Sequence, residues 1–348
     1  MSNVIQKETK NLLKQNNKSI IDKLTALWAL NESGLGGFLH VFNSPFTGLI
    51  VGGIAILLIS LIAFYAKNKW QAILKALVIV LIIKMAVSPY SPFTAYISVS
   101  FQAVLGAFLF SNFSWKGGTL VALGIVTFLQ SALQKLLKLT IIYGTDFWEA
   151  INIYGTWIQE KINFITDTST TSVLISIYLL VYGVGGLLAG LFIKSVIVII
   201  SKKEATAFYL KPMHVTSEEK KTNKAIRFKV IWIWFSTVTV IVLAFTFFGG
   251  ALFGWQKAIY IIARSFLFLI LWYLVLGPFV LKIIRKYLTK KESKYQEEIT
   301  SALDLFPYFR QILSLTWKET KHLNGFTRFK YFIANSISNC IHFKIASE

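Results

Sequence analysis

Two stripes of polar residues interrupt the apolar middle of the chain, and their side chains are of the types that bind small ligands. The first stripe is spaced by three, four and four residues, and the second by four, three and four: Ser91, Thr94, Ser98 and Gln102, then Thr127, Ser131, Gln134 and Lys138. At 100° per residue, each set falls on one face of a helix. Their hydroxyl, amide and ammonium groups can hydrogen-bond a polar molecule.

Charged residues near the stripes add to this pattern. Because polar side chains in membrane spans face the bundle interior or a water-filled cavity, we expect one shared pocket that opens outward. Lys84 and Lys138 would contact a small polar or anionic solute, and Asp146 or Glu149 would be the counter-ion. The expected substrate-binding residues are Lys84, Thr94, Ser98, Gln102, Thr127, Ser131, Gln134, Lys138 and Glu149. An equally good interpretation is structural, since such side chains also bond neighbouring helices or extend to lipid headgroups.

The motifs of common enzyme classes are absent from the sequence. There is no H-E-x-x-H zinc motif, no Gly-rich phosphate loop and no G-x-S-x-G nucleophile elbow. None of the four histidines lies in an apolar segment beside carboxylates at metal-ligand spacing. We therefore predict that the protein is not an enzyme and that it needs no metal or cofactor.

The composition excludes an ordinary soluble domain. Of the 348 residues, 55% are hydrophobic and 15% are charged, whereas soluble domains carry about 25% charged residues. The net charge of +20 is typical of a nucleic-acid binder or of a membrane protein with basic cytoplasmic loops. The mean hydropathy of +0.60 favours the membrane, so we predict a lipid bilayer and not nucleic acid as the partner. A single cysteine, Cys340, excludes a disulfide scaffold.

The hydrophobic segments predict an all-α polytopic bundle with six to seven transmembrane helices. A span needs about 20 mainly apolar residues, and seven segments qualify: 47–66, 71–88, 93–110, 118–142, 173–200, 229–249 and 258–281. The stretch 20–45 is interpreted either as a short interfacial helix or as a re-entrant segment. Residues 146–163 predict an amphipathic helix that lies in the interface.

The distribution of cations predicts the orientation. The 201–229 loop holds eight Lys and Arg residues and the tail after residue 281 holds twelve, so both should be cytoplasmic by the positive-inside rule. An inner cell membrane location with a cytoplasmic C-terminus follows. Seven crossings would leave the N-terminus outside although it carries five lysines, so whether 47–66 crosses stays open at this point.

The predicted organisation has three parts: an N-terminal polar and amphipathic segment (1–46), a transmembrane bundle (47–288) and a basic helical cytoplasmic tail (289–348). In the tail, Pro307 should separate helices near 291–305 and 308–321, and a third helix should cover 327–343. The Gly186 and Gly190 step predicts close packing of two helices.

The stretch from Lys84 to Trp157 resembles the substrate-binding (S) components of energy-coupling factor vitamin transporters. The elements that carry the resemblance are Ser88-Pro89, Ser91-Pro92, Ser100-Phe101-Gln102, Gly106 and the segment from Gln130 to Lys138, about a fifth of the chain. The resemblance implies a six-helix bundle that captures a vitamin or metal from outside. It also implies a separate coupling membrane subunit and ATPase subunits as partners, with the Ala72 and Ala76 step as the docking site.

The leading hypothesis is thus a membrane protein that binds and helps to transport a small polar or anionic solute, as a vitamin-type substrate-binding subunit would. The alternative is a non-transporting scaffold or accessory subunit, which recruits a cytoplasmic partner through the 201–229 loop and the tail. A third hypothesis, an intramembrane enzyme acting on lipid, needs a catalytic constellation that the sequence does not contain.

Overall fold

The computed structural model describes residues 17–35, 47–89, 91–113, 117–161, 168–202, 208–210 and 255–345. Helices form nearly all of the regular structure in these ranges. The predicted span 229–249 and most of the 201–229 loop lie outside the described residues.

The elements follow one another as helices of very different length. Helix α1 covers 17–30 and continues as a π-helical turn over Asn31–Leu35. The remaining elements are α2 (Thr47–Tyr65), α3 (Lys69–Val87), α4 (Phe93–Asn112), α5 (Gly117–Tyr143), α6 (Thr145–Lys161), α7 (Thr170–Lys202), β1 (Phe208–Leu210), α8 (Trp255–Ile270), a π-turn (Leu271–Leu276), α9 (Gly277–Glu292), a 3₁₀ turn (Ser293–Tyr295), α10 (Gln296–Glu319), a 3₁₀ turn (Thr320–His322), α11 (Gly325–His342) and β2 (Phe343–Ile345).

Five helices in the described part of the chain are long and apolar enough to cross a membrane. They are α3, α4, α5, α7 and the continuous helical stretch that begins at Ile262, while the apolar part of α2 is shorter (Leu49–Tyr65). The segments 71–88, 93–110, 118–142 and 173–200 match α3, α4, α5 and α7 to within a few residues. The prediction of an apolar helical bundle with multi-pass character is therefore confirmed.

Asparagine, proline and glycine residues set the boundaries of α3, α4 and α5. The Asn68 side chain caps α3 by accepting a hydrogen bond from the Gln71 backbone N–H at 3.2 Å. Proline cannot continue a helix, and Pro89 and Pro92 stand between α3 and α4. Gly144 ends α5 with a positive φ of 76°, a conformation that glycine adopts without steric cost.

The described contacts divide the chain into two compact units. The first contains Met1–Ser131, Val181–Val215 and Leu281–Glu348, and the second contains Ala132–Leu180 and Thr216–Val280. In the first unit, α2 forms the core, since residues 55–63 are all buried. Helices α3 and α4 pack on α2 and on each other, and α10 packs on α3 and α11.

Helix α1 is a core element of the first unit and not an interfacial helix. Leu24, Trp28 and Ala29 have no solvent exposure, which a helix lying on a membrane surface would not show. In the middle of α1, Lys23 donates to the backbone oxygens of Ile341 and Phe343, at 3.2 and 2.8 Å. Lys23 of α1 therefore lies beside the end of α11 and the strand β2 that follows it.

Glycines allow α5 and α7 to meet at backbone contact distance. A Cβ on Gly186 would lie 2.6 Å from the Gly124 carbonyl oxygen and 2.6 Å from the Ile125 Cα, and a Cβ on Gly190 would lie 2.5 Å from the Val121 Cα. Neither backbone can give way to a side chain. The predicted close packing at Gly186 and Gly190 is confirmed, with α5 as the partner.

The tail differs from its prediction at Pro307. This proline lies inside α10, which continues to Glu319, so the predicted break at residue 307 was wrong. A proline within a helix costs about 3 kcal/mol, but Phe306, Phe309 and Ile312 are buried on this helix and their burial is of comparable size. The predicted third helix is confirmed as α11, and its continuation β2 pairs in parallel with β1.

In the second unit, the helix predicted at 146–163 is present as α6 (Thr145–Lys161), and α6 packs against the start of α7. The Thr171 hydroxyl donates to the Trp148 backbone oxygen at 2.8 Å, and the Thr171 N–H donates to the Asn152 side chain at 2.8 Å. Gly155 leaves the space that Thr170 fills.

Candidate solute-binding site

A buried ion pair joins the π-turn after α1 to the last turn of α3. The Lys84 Nζ lies 2.9 Å from the Glu32 Oε2 and also donates to the Glu32 backbone oxygen at 3.0 Å. The two side chains are 1% and 4% exposed. A buried charge left without its partner costs about 3–5 kcal/mol, so this pair fixes the π-turn against α3.

Two further hydrogen bonds hold the π-turn in place. The Ser88 hydroxyl donates to the Ser33 backbone oxygen at 3.0 Å. The Asn31 side-chain N–H donates to the Val51 backbone oxygen of α2 at 3.0 Å. The turn is thus anchored to both α2 and α3, and it places the Asn31 and Glu32 side chains between them.

Several buried side-chain atoms on these helices have no hydrogen-bond partner among the described residues. They include the oxygens Asn31 Oδ1, Gln102 Oε1 and Thr127 Oγ1, and the Trp28 Nε1 donor on α1. Asn31 and Gln102 are each 4% exposed and Thr127 is not exposed at all. An unsatisfied buried polar group costs about 1–3 kcal/mol. Each such group is therefore unfavourable for the bundle by itself.

These three oxygens come from three different elements, and each is carried by, or lies next in sequence to, a residue that approaches Val51, Gly52 or Gly53 of α2. Asn31 bonds Val51, and a Cβ on the next residue, Gly52, would lie 3.3 Å from the Gln102 Nε2. The Phe128 ring, next in sequence to Thr127, lies 3.8 Å from the Cβ position of Gly53. The two glycines thus let the amide of α4 and the aromatic ring of α5 approach the α2 backbone. We call Asn31, Glu32, Lys84, Gln102 and Thr127 the buried polar cluster.

The expected binding residues are distributed over both units. In the first unit, Lys84, Gln102 and Thr127 belong to the buried polar cluster, while the Ser131 hydroxyl donates to the Thr127 backbone oxygen of its own helix at 3.1 Å. Thr94 and Ser98 are half-buried on α4. In the second unit, Gln134 and Lys138 are half-buried on α5, and Glu149 is exposed on α6.

The expected counter-ion of Lys84 was wrong. Its partner is Glu32, whereas Asp146 lies 3.5 Å from the Arg264 guanidinium in the second unit. Sequence analysis missed Asn31, Glu32 and Ser33 altogether. The signal was present, because Glu32 comes two residues after the mainly apolar stretch from Leu24 to Leu30, and a carboxylate at such a place needs a cation.

Comparison with protein-family models, with curated proteins and with solved structures gives no match.

The described ranges contain no group of three or more His, Cys, Asp or Glu side chains that would hold a metal ion. The ion pair brings no net charge, and the three unpartnered oxygens can accept hydrogen bonds. The buried polar cluster is suited to a small molecule that donates hydrogen bonds.

A separate cavity of about 130 Å³ lies at the other end of α1. Lys18, Asp22, Glu297 and Glu298 line it together with three further residues of α10. Lys75 of α3 pairs with Glu298 at 2.7 Å nearby. Both partners of that pair are partly exposed, at 38% and 27%, so this cavity is a solvated cleft of the tail side.

Proposed function

We propose that this chain is an integral membrane subunit that binds a small polar solute at the buried polar cluster and takes part in its transport. The observation that carries the proposal is the set of three unpartnered oxygens on Asn31, Gln102 and Thr127. A ligand with hydrogen-bond donors satisfies all three, and the apolar helices around them exclude water.

The charge balance of the cluster narrows the class of solute. Because Glu32 already neutralises the Lys84 ammonium at 2.9 Å, the cluster offers hydrogen-bond acceptors and not a free positive charge. A neutral or zwitterionic solute with N–H or O–H groups therefore fits better than a simple anion. Specificity would come from the buried acceptors, since an analogue without the matching donors leaves them unpaired.

Transport would need partners, as it does in the S components that the chain resembles. The sequence contains no phosphate-binding loop, so a coupling membrane subunit and ATPase subunits would supply the energy. Ala76 is only 2% exposed. The Ala72 and Ala76 step would therefore become available to a coupling subunit only after α3 had moved in the bundle.

The binding test compares the purified wild-type protein with the double variant Gln102→Leu, Thr127→Val. Two matched substitutions at exposed sites, Asn112→Leu and Thr156→Val, serve as the control. Thermal unfolding is measured with a panel of amino acids, nucleosides, sugars and vitamins, because a ligand at 100 times its Kd stabilises the folded state by about 2.7 kcal/mol.

We expect at least one solute to raise the Tm of the wild type and of the control, and to leave the double variant unchanged. Equal stabilisation of all three proteins would place the solute elsewhere. Failure of every solute to stabilise the wild type would contradict the proposal.

A second candidate function is the scaffold, and one observation favours it. Strand β1, from the basic loop, pairs with β2 at the end of the tail, so the two segments that would recruit a cytoplasmic partner are joined. The deletion of 289–348 is not a clean test, because α10 packs on α3 and its removal would uncover the core.

Point substitutions on the exposed tail test the scaffold instead. Reversing the charge at Lys318 and Lys321, both exposed, should abolish copurification of a cytoplasmic partner without lowering the Tm. The control is Lys161→Glu, an equally exposed lysine on α6. Unchanged copurification in the tail variant would contradict the scaffold function.

A further inference from the structure

One side of the first unit is covered by a long helical stretch that runs antiparallel to α3. The Arg285 guanidinium of α9 donates to the Pro89 backbone oxygen, just beyond the end of α3, at 3.3 Å. Glu298 of α10 pairs with Lys75, near the start of α3, at 2.7 Å. The thirteen residue steps from Arg285 to Glu298 cover about 20 Å of helix. The chain from Lys75 to Pro89, which runs along α3, covers about the same length.

This stretch is amphipathic, and its outward face is cationic. Leu288 and Ile299 are buried, and they lie on the face that packs inward. Lys282, Lys286, Lys290 and Lys294 follow each other at intervals of four and are all exposed, so they share the outward face. Between residues 282 and 294, six Lys and Arg residues stand against one carboxylate, Glu292.

Helix α4 of the same unit carries exposed apolar side chains at the same depth. Ile97, Val104 and Phe108 on α4 are 46%, 46% and 50% exposed, as expected for side chains that contact lipid tails. Ile97 lies on α4, five residues beyond Pro92. Lys290 lies on α9, five residues beyond Arg285, whose guanidinium contacts the Pro89 backbone oxygen. These two positions therefore sit at closely similar depths, one apolar and the other charged.

Charged side chains are costly in lipid unless they face protein or water. Lysines close to a membrane surface can extend to the headgroups, but Lys290 and Lys294 lie in the middle of the segment that covers α3. A second copy of the chain would bring like charges together on this face. Water solvates all four of these exposed lysines, which lipid tails cannot do.

We propose that the outward face of α9 borders a water-filled path beside α3 within the membrane, and that its lysines draw anions into this path. The path is independent of the buried polar cluster, because α9 contributes none of the cluster residues. A cationic wall raises the local concentration of anions in such a confined space.

Cysteine accessibility in open membrane fragments, in which the added reagent reaches both faces of the bilayer, tests the proposal. The test variants are Lys290→Cys and Lys294→Cys, the lipid-facing control at matched depth is Ile97→Cys, and the solvent control is the exposed tail position Lys321→Cys. The native Cys340 has no exposure, and burial raises the pKa of its thiol. Its lack of reaction reports that each variant is folded.

The probes are two membrane-impermeant methanethiosulfonates, one anionic and one cationic. Because only the thiolate reacts, and it forms in water, we expect residues 290 and 294 to react about 100-fold faster than residue 97. The rate of each probe at residues 290 and 294 is divided by the rate of the same probe at residue 321. After this correction, the anionic probe should react several-fold faster than the cationic probe at residues 290 and 294.

Rates at 290 and 294 as slow as that at 97 would overturn the proposal. Equally fast reaction at residues 97 and 321 would also overturn the proposal, because the depth that residues 97 and 290 share would then not lie in lipid. If 290 and 294 react only after detergent solubilisation, a protein partner covers the face and the water path is refuted. Equal rates for both probes would refute the attraction of anions.

Discussion

The ion pair between Glu32 and Lys84 should have a far larger coupling energy than a second Lys–Glu pair in the same unit. The pair between Lys75 and Glu298 has a similar length, 2.7 Å against 2.9 Å, but its side chains are 38% and 27% exposed against 1% and 4%. The two pairs share their chemistry and differ in burial. A comparison of their coupling energies therefore isolates the effect of burial.

The magnitudes follow from the environment of each pair. Glu32→Gln leaves the Lys84 ammonium buried without an opposite charge, and Lys84→Met leaves the Glu32 carboxylate in the same position, so each should cost about 3–5 kcal/mol. The double variant removes both charges and should recover much of this loss. For the partly exposed pair, solvent screening limits the coupling energy to about 0.2–1 kcal/mol.

The assay is a double-mutant cycle at each pair, with Lys75→Met and Glu298→Gln as the matched control cycle. The free energy of unfolding is measured for all variants in mixed micelles by titration with a denaturing detergent. Buried Trp28, one turn before Glu32, reports on the packing of α1 by its fluorescence. Coupling energies that agree to within about 0.5 kcal/mol would be inside the error of additivity and would refute the burial of the Glu32 pair.

Three further predictions concern packing and the site. Gly186→Leu should lower the Tm strongly, because a Cβ at this position would lie 2.6 Å from the backbone of α5. The control Gly183→Leu should be tolerated, because the nearest atom to a Cβ there is 3.9 Å away. Equal losses of Tm in the two variants would contradict the close contact of α5 and α7. Lys23→Met removes two hydrogen bonds to the end of the tail and should increase proteolysis there in a limited digest, while unchanged proteolysis would show that the contact does not hold the tail. Gln102→Leu removes an unpartnered buried oxygen, so in the absence of solute it should raise stability by about 1 kcal/mol, and a loss of stability would show that this oxygen is satisfied.

The apolar helices were predictable because a local property determines them. A continuous run of about 20 apolar residues leaves a chain few alternatives to a membrane-type helix. The predicted limits 71–88 became Lys69–Val87, since the Asn68 cap and the prolines after the helix act within a few residues. The break at Pro307 was predicted by an equally local rule and was wrong. There the buried face of Phe306 and Phe309 decided the outcome, and that face depends on a partner helix.

The partner of Lys84 was not predictable in the same way. Glu32 and Lys84 are 52 residues apart in sequence, and the apolar run before Glu32 is too short to be recognised as a span. The prediction chose Asp146 or Glu149 because they follow the polar stripe. Which carboxylate meets a buried lysine is set by the packing of α1 beside α3, and neither periodicity nor composition contains that information.

The cost of the buried ion pair bears on why the chain carries it. Replacing a buried ion pair by apolar side chains of similar volume is often neutral or stabilising by about 1–4 kcal/mol, so stability alone does not account for Glu32 and Lys84. The pair holds a π-turn, which forms mostly as a single-turn irregularity and is frequent at functional sites. That turn presents the Asn31 oxygen to the same part of α2 that Gln102 reaches. The pair is therefore best understood as a device that positions acceptors for a ligand, and variants that break it should lose solute binding together with stability.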